Sequence, residues 1–403
     1  MRLKVAAVCV GASLLVIAGL LVVYFLKSGA AGSAYPSPRL KQLADQCRRP
    51  WTRPVLRGSA RPGNAGAAQL RLFDQLGDVP AMGNKTFRRA LKSLPSEPAI
   101  RADIDRHAKL LDDLLATTTL EQSWTPIERG ILPNERNWTT HRTALRWLLL
   151  RAAAEGAPPC LDTLADVIRI AQDSGAGAGV GGAMMLRRVL GDVIPVLNHC
   201  SRRAKHAELE SAHRALLLLL RHPTPLGHVL ETELVVVLHP LELTMRKGEA
   251  ERMFDVAESS ISRLRKIRAQ ELPASLAIAT REVEWMRKQG LTDFAFDHGI
   301  RPVLSDYGSA LSLSEAWMRL AVATLEVQLA GVPSEPMPAL SRKELSDPFT
   351  GKPLQWFVGK KCAGLWSVGL DGKKQSRGVG DRFELRGDDL FAWACLPLGE
   401  QSP

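Results

Sequence analysis

The feature that most constrains this chain is an uncharged apolar run from Val5 to Leu26, preceded by Arg2 and Lys4 and followed by Lys27. Wound as a helix it spans roughly 33 Å, matching a hydrocarbon core of about 30 Å. The apolar part of a cleaved signal peptide is shorter, about 7–15 residues. The run therefore reads as a membrane anchor over residues 1–27. Cys9 lies inside the span without a lipobox before it, and no acidic residue precedes Asp45, so neither a lipoprotein signal nor a pilin-type leader fits. Arg2 and Lys4 favour an inside amino terminus; Lys27, Arg39 and Lys41 compete on the other flank, but long domains translocate despite such charges. The expected topology is a single-pass protein of the bacterial inner membrane with the bulk of the chain in the periplasm.

The rest must fold around few aromatics, which make up 5% of the chain, so Leu, Ala and Val carry the core. Hydrophobic residues at 45% and charged residues at 24% exclude a disordered or fibrous chain. The 53 basic side chains outnumber 42 acidic ones, for a net charge of +11. Outside the cytoplasm that excess points to acidic lipid or another acidic partner, and no nucleic acid is expected.

Composition divides the remainder. Residues 28–66 are rich in Pro, Gly and Arg and read as a tether rather than a helix, with Arg48, Arg49, Arg53, Arg57 and Arg61 either solvated or near lipid head groups. Residues 67–332 follow helical spacing almost throughout. Ile100, Ile104, Leu111, Leu114 and Leu115 share a face, as do Trp138, Leu145, Leu148 and Leu149. A helix from Pro273 through Trp285 to Gly290 has a proline start and a glycine stop. Another runs from Leu313 to Leu329, closed by Gly331 and Pro333. Residues 333–403 break that pattern with prolines and then show short apolar runs at 355–358, 365–368, 383–385 and 390–395, which read as small strands. The expected fold class is mainly α, with an N-terminal transmembrane helix, a multi-helix body and a small C-terminal β-rich module, α+β overall. Trp356, Trp366 and Trp393 are expected to be buried in that module.

Candidate chemistry is sparse. Gly177, Gly179 and Gly182 match G-x-G-x-x-G, but the preceding Leu164, Val167, Ile168 and Ala171 are spaced as a helix rather than a strand. Close packing of small residues explains them better. His199, His206 and His213 recur every seven residues, so on one helix they form a polar stripe, too widely spaced to share an ion. His228 and Glu231 can share a helix face, and with His222, His239 and Glu242 nearby they could form the metal site of a hydrolase or stand as solvent-facing polar residues. No G-x-S-x-G elbow and no HExxH pattern occurs. Cys362 and Cys395 share the C-terminal module and can bridge in an oxidising compartment, or remain buried thiols.

The C-terminal third carries a resemblance. The order AWMRLAVATLEVQLAGV at 316–332, DPFTGKPLQW at 347–356, GLWSVGLDGKK at 364–374 and GDDLFAW at 387–393 resembles a group of uncharacterised membrane-anchored helical bacterial proteins. It also looks like the end of type II secretion major pseudopilins, which carry an Asp-Pro segment, a Ser-x-Gly-x-Asp-Gly turn and a terminal Asp pair. The resemblance implies calcium in the last loop, with Asp371, Asp388, Asp389 and the Val368 carbonyl as oxygen ligands. Two departures stand out: a longer basic stretch from Lys373 to Arg386, and Arg386 where a small hydroxyl residue is expected. Without the metal, the Asp-Gly turn and the Asp pair would organise a hairpin. Together these features predict a non-enzymatic interaction or scaffold component of the cell envelope, engaging other envelope proteins in a secretion or surface-structure apparatus. The metal-assisted hydrolase is the alternative.

Overall fold

The structure is a computed structural model describing residues 37–47, 51–94 without 78, 97–123, 135–224 without 176–178, then 229, 231, 232, 234, 235, 238, 247–264, 281, 284, 285, 288, 289, 301–331, 343–358, 362–370, 377–379, 382–384 and 389–395. It is mainly helical, with small sheets at both ends of the described chain. The apolar run from Val5 to Leu26 lies outside the described residues. Among those described, no helix is long and apolar enough to cross a membrane.

The segment read as a tether rather than a helix includes a helix and two short strands among its described residues. Pro38–Cys47 forms helix α1, opened by proline, whose fixed φ suits a first turn. Its buried face, Leu40, Leu43, Ala44 and Cys47, joins Met253, Phe254, Ala257 and Ile261 of helix α10, Lys247–Leu264, in a small second core with Leu234, Val235 and Leu238. Two short strands follow, β1 Trp51–Thr52 and β2 Arg61–Asn64. Both pair with β3, Leu120–Ser123, β1 antiparallel and β2 parallel.

The helical body opens with α2, Ala65–Leu76, whose first turn is capped by the Asn64 side chain accepting from the Ala67 N–H. Helix α3, Asn84–Lys92, buries Phe87, Ala90 and Leu91 and turns its basic side chains outward. The face read through Ile100 and Leu111 is split at His107 into α4, Pro98–Arg106, and α5, Ala108–Ala116. Helices α6, Glu135–Glu155, α7, Ala157–Gly175, and α8, Gly179–Ser201, make the centre. Gly156, at φ +113°, turns the chain between α6 and α7, a conformation open to glycine and strained for other residues. From Leu164 to Gly175 every residue of α7 is buried. That stretch is enclosed on all sides, so its pattern carries no solvent face.

The glycine segment supplies the closest approach in this core. A Cβ on Gly175 would lie 3.1 Å from the Gly182 carbonyl oxygen, and one on Gly182 would collide with the Gly175 backbone. Gly175 and Gly182 let α7 and α8 touch, so among the described residues the segment joins two helices; Gly177 lies outside the described residues.

Helix α9, His206–Arg221, and the long helix α11, Arg301–Leu329, complete the bundle. Gly331, at φ +77°, follows α11 where a glycine stop was expected. The C-terminal strands are β4 Gln355–Val358, β5 Cys362–Ser367, β6 Arg377–Val379, β7 Arg382–Glu384 and β8 Leu390–Cys395. Strands β4, β5 and β8 form an antiparallel sheet in that order, and β6 and β7 form a hairpin. One sheet face presents Ala363, Leu365, Ala392 and Ala394 to the same apolar core as α8 and α11. The opposite face carries Phe357, Trp366, Phe391 and Trp393, as strand alternation requires. A Cβ on Gly364 would enter the Phe357 ring, which crosses the strand there and meets Trp393 edge-on at 5.5 Å. Trp366 is buried, whereas Trp356 and Trp393 are only partly so.

Candidate functional site

The residues singled out for calcium divide between the described and undescribed chain. Asp371 and Asp388 lie outside the described residues. Val368 and Asp389 are both buried. Among the described residues no group of three or more His, Cys, Asp or Glu side chains could hold a metal ion.

What the structure does place beside Val368 is Asp347, from the Asp-Pro segment. Its carboxylate accepts the Phe349 and Val368 N–H groups, both at 2.9 Å, and it is buried. The Asp347 carbonyl accepts from Gly351 at 2.8 Å, and its N–H donates to the Lys352 carbonyl at 2.6 Å. Asp347 thus closes the 347–352 loop on itself and fastens it to the end of β5. A buried carboxylate bound by two N–H donors is a structural anchor. In the sequence the Asp-Pro pair stands out only within the resemblance; short-range Asp-to-N–H turn chemistry is the signal it carries.

Helix α11 holds this loop and sheet. Arg319 donates to the Ser346 carbonyl and hydroxyl and pairs with Glu315 one turn earlier. Gln328 donates to the Cys395 carbonyl at 2.8 Å and to the Ser201 hydroxyl at 3.0 Å, linking β8, α8 and α11 at one buried amide. Cys362 and Cys395 face each other in register and are bridged, with Cα atoms 4.0 Å apart. A second bridge, Cys160–Cys200, ties α7 to α8. Cys47 is buried, with its thiol donating to the Glu231 carbonyl at 3.7 Å.

At the other end, of the arginines expected to be solvated or near lipid, Arg53 is buried and Arg57 half-buried, whereas Arg61 is exposed. Arg53 pairs with Asp173 at 2.7 Å, both side chains 0% exposed, and also donates to the Thr117 and Thr118 carbonyls. Arg57 reaches the Asp162 carboxylate at 2.5 Å and also pairs with Asp166. Arg61 donates to Thr119 and to the Ala116 carbonyl. Arg169 donates to the Pro54 carbonyl at 3.2 Å and lies over the Trp51 ring. Burial pushes the Asp173 carboxyl up to about 6, against the pull of Arg53 and Arg169. It pushes Asp166 up to about 6 as well, opposed by Arg57. The same burial lowers Arg169 to about 10. Arg48 and Arg49 are outside the described residues.

The histidine stripe does not exist as read. His199 lies in the last turn of α8 and His206 begins α9, with the chain turning between them at residues 202–205. His199 contacts Arg203, His206 pairs with Glu210, and His213 meets Glu326 at 3.1 Å. Of the hydrolase set, Glu231 is buried, while His228, His239 and Glu242 lie outside the described residues. His222 is exposed after α9.

A third polar cluster positions α3. Arg142 and Arg146 of α6 hold Asp192 of α8 at 2.8 Å and 2.7 Å, and both donate to the Asn84 side chain at the start of α3. The Arg146 guanidinium also lies 5.0 Å over the Phe87 ring. No family model matches this chain, and no curated protein and no solved structure is detectably similar to it.

Proposed function

We propose that this chain is a single-pass, membrane-anchored cell-envelope protein acting as a non-enzymatic interaction or scaffold component, with its body in the bacterial periplasm. The observation that carries the compartment is the pair of bridges, Cys160–Cys200 and Cys362–Cys395. Disulfides persist in oxidising compartments and are rare in the cytoplasm. The anchor at Val5–Leu26 supplies the membrane attachment in this reading, and the pseudopilin-like order of the C-terminal segment suggests a secretion or surface-structure apparatus.

The polar clusters described above support a scaffold more than a catalyst. Asp173, Asp192 and Asp347 are each turned inward and occupied by arginines or backbone N–H groups. Calcium at Asp371, Asp388, Asp389 and the Val368 carbonyl is the one ligand the resemblance implies. A rise in melting temperature at millimolar calcium would assign it, because a ligand that binds only the folded chain stabilises that chain.

Topology tests the central reading. A reporter active only outside the cytoplasm, fused after Pro403, should be active in cells, and one active only in the cytoplasm should be silent. The reverse pattern would overturn the periplasmic placement. Stoichiometric zinc or iron in the purified protein would instead favour the hydrolase built on His228, Glu231 and His239.

A further inference from the structure

Several exposed arginines, such as Arg187, Arg188 and Arg214, have no carboxylate pair among the described residues, so an unpaired arginine by itself means little. Two of them share a cavity. Arg61 of β2 and Arg71 of α2 line a groove of about 290 Å³ where α2 and α5 meet β3. Its apolar lining is Ala68 and Leu72 of α2, Ala116 of α5 and Leu120 of β3. An apolar cleft with a few convergent polar groups is the usual form of a small-molecule site.

The two cations differ in how they are held. Arg61 is fixed: its Nε donates to the Thr119 hydroxyl at 2.7 Å and its Nη2 to the Ala116 carbonyl at 2.8 Å. Neither partner is charged, so the guanidinium is held in place with its charge unmatched, and Nη1 remains to donate. Arg71 is exposed on α2, one residue before Leu72, and has no ion-pair partner among the described residues. Asp113 also lines the groove, but Lys109 pairs with it at 2.7 Å. The groove therefore keeps an excess of two positive charges beside an apolar floor.

We propose that this groove binds a small amphipathic carboxylate, its head between Arg61 and Arg71 and its apolar body on Ala68, Leu72, Ala116 and Leu120. A guanidinium fork matches a carboxylate with two parallel hydrogen bonds. Holding Arg61 in advance lowers the ordering cost of that contact. Size selects the class. At about 30 Å³ for each water-sized atom, the groove takes about ten non-hydrogen atoms. An extended peptide is larger than that, and a bare inorganic anion would gain nothing from the apolar floor. A phosphoryl head would fill about half of the volume and leave that floor largely uncovered.

The test is titration calorimetry of the full chain in phosphatidylcholine nanodiscs, with empty discs subtracted, using octanoate and its neutral counterpart octanamide. Octanoate should bind saturably at one site per chain. Octanamide should bind about tenfold more weakly, as expected for the loss of a charge-assisted hydrogen bond. Arg71→Gln, an exposed change, should weaken octanoate about tenfold and leave octanamide unaltered. Ala68→Leu, which fills the groove, should weaken both. The absence of saturable octanoate binding overturns the proposal. So does equal affinity for the two compounds, or octanoate binding that Arg71→Gln leaves intact. Tighter binding of an acetylated dipeptide ending in a free leucine carboxylate would assign the groove to protein carboxyl termini and overturn the small-molecule class. The site does not depend on the membrane attachment proposed above: a chain that stays soluble without lipid is titrated in buffer against the same criteria.

Discussion

Arg53 and Asp173 meet at 2.7 Å with both side chains excluded from solvent, joining the segment after α1 to the last turn of the most buried helix. Removing one partner of such a pair strands a buried charge, at a cost of about 3–5 kcal/mol. Arg53→Ala should therefore lower the unfolding free energy by about that amount in urea titrations. Arg53→Met combined with Asp173→Leu should recover only part of the loss, since Asp173 also faces the buried Arg169. A single variant with no loss would show that the pair is dispensable.

His141 gives the clearest pH dependence. It is 2% exposed, stacked on Phe73 at 3.8 Å and edge-on to Trp138, and burial lowers it to about 3 from an ordinary value of 6.5. The unfolded chain takes up a proton near pH 6.5 that the folded chain refuses, so the stability is intact above 6.5 and drains as pH falls towards 3. The slope is about 1.4 kcal/mol per pH unit. Asp166 and Asp173, raised by burial, act in the opposite sense below about 6. The comparison is therefore made between wild type and His141→Phe. Between pH 7 and 5 the variant should lose about 2 kcal/mol less than wild type. Parallel curves would mean that His141 accepts a proton in place.

The bridge between Cys160 and Cys200 closes a loop of sequence separation 40. On chain-entropy grounds a loop of that length contributes about 4 kcal/mol. Cys160→Ala with Cys200→Ala should show a loss of that order in chemical denaturation. Mass spectrometry of unfolded, unreduced protein should find Cys160, Cys200, Cys362 and Cys395 blocked to alkylation, all four opening after reduction. Ready alkylation before reduction would contradict the oxidising compartment.

Trp366 tests the C-terminal sheet. It is 2% exposed on the aromatic face, turned away from the core that Leu365 shares with the helices. Trp366→Ala should cost about 3–5 kcal/mol, as for a large core aromatic. Because the lost contacts lie on the far face of the sheet, proteolysis should first open residues after 343 while far-ultraviolet helicity at room temperature persists. Uniform cleavage throughout the chain would show that the sheet and bundle unfold as one.

The strands at 355–358 and 390–395, the stop after Leu329 and the break at Gly156 were legible because each is set by local chemistry: alternation, glycine, proline. Arg53 and Arg57 were not. Their partners Asp173, Asp162 and Asp166 lie far along the chain, and an Arg-rich stretch looks the same whether its charges face water or a buried carboxylate. His199, His206 and His213 misled because a regular interval continues across a turn that no Pro or Gly marks. Asp347 was visible as a letter in a motif, while the N–H groups it binds became apparent only when β5 was placed beside it. Cys362 and Cys395 could be suspected as neighbours in one small module, whereas Cys160 and Cys200 are joined only by the packing of α7 on α8.

The bridge between Cys362 and Cys395 also decides how the chain responds to tension. It fastens adjacent strands across a sequence separation of 33, within which the β6–β7 hairpin lies. At roughly 3.4 Å per residue, about 110 Å of contour is removed from any path a pull on the two chain ends could extend. Force entering at the carboxyl terminus would skip that loop, cross the sulfur link into β5, and pass through Gln328 and its neighbours into α11. The hairpin would keep its shape while the sheet beside it was strained. A partner gripping the hairpin would stay attached under loads that peel the sheet from the bundle.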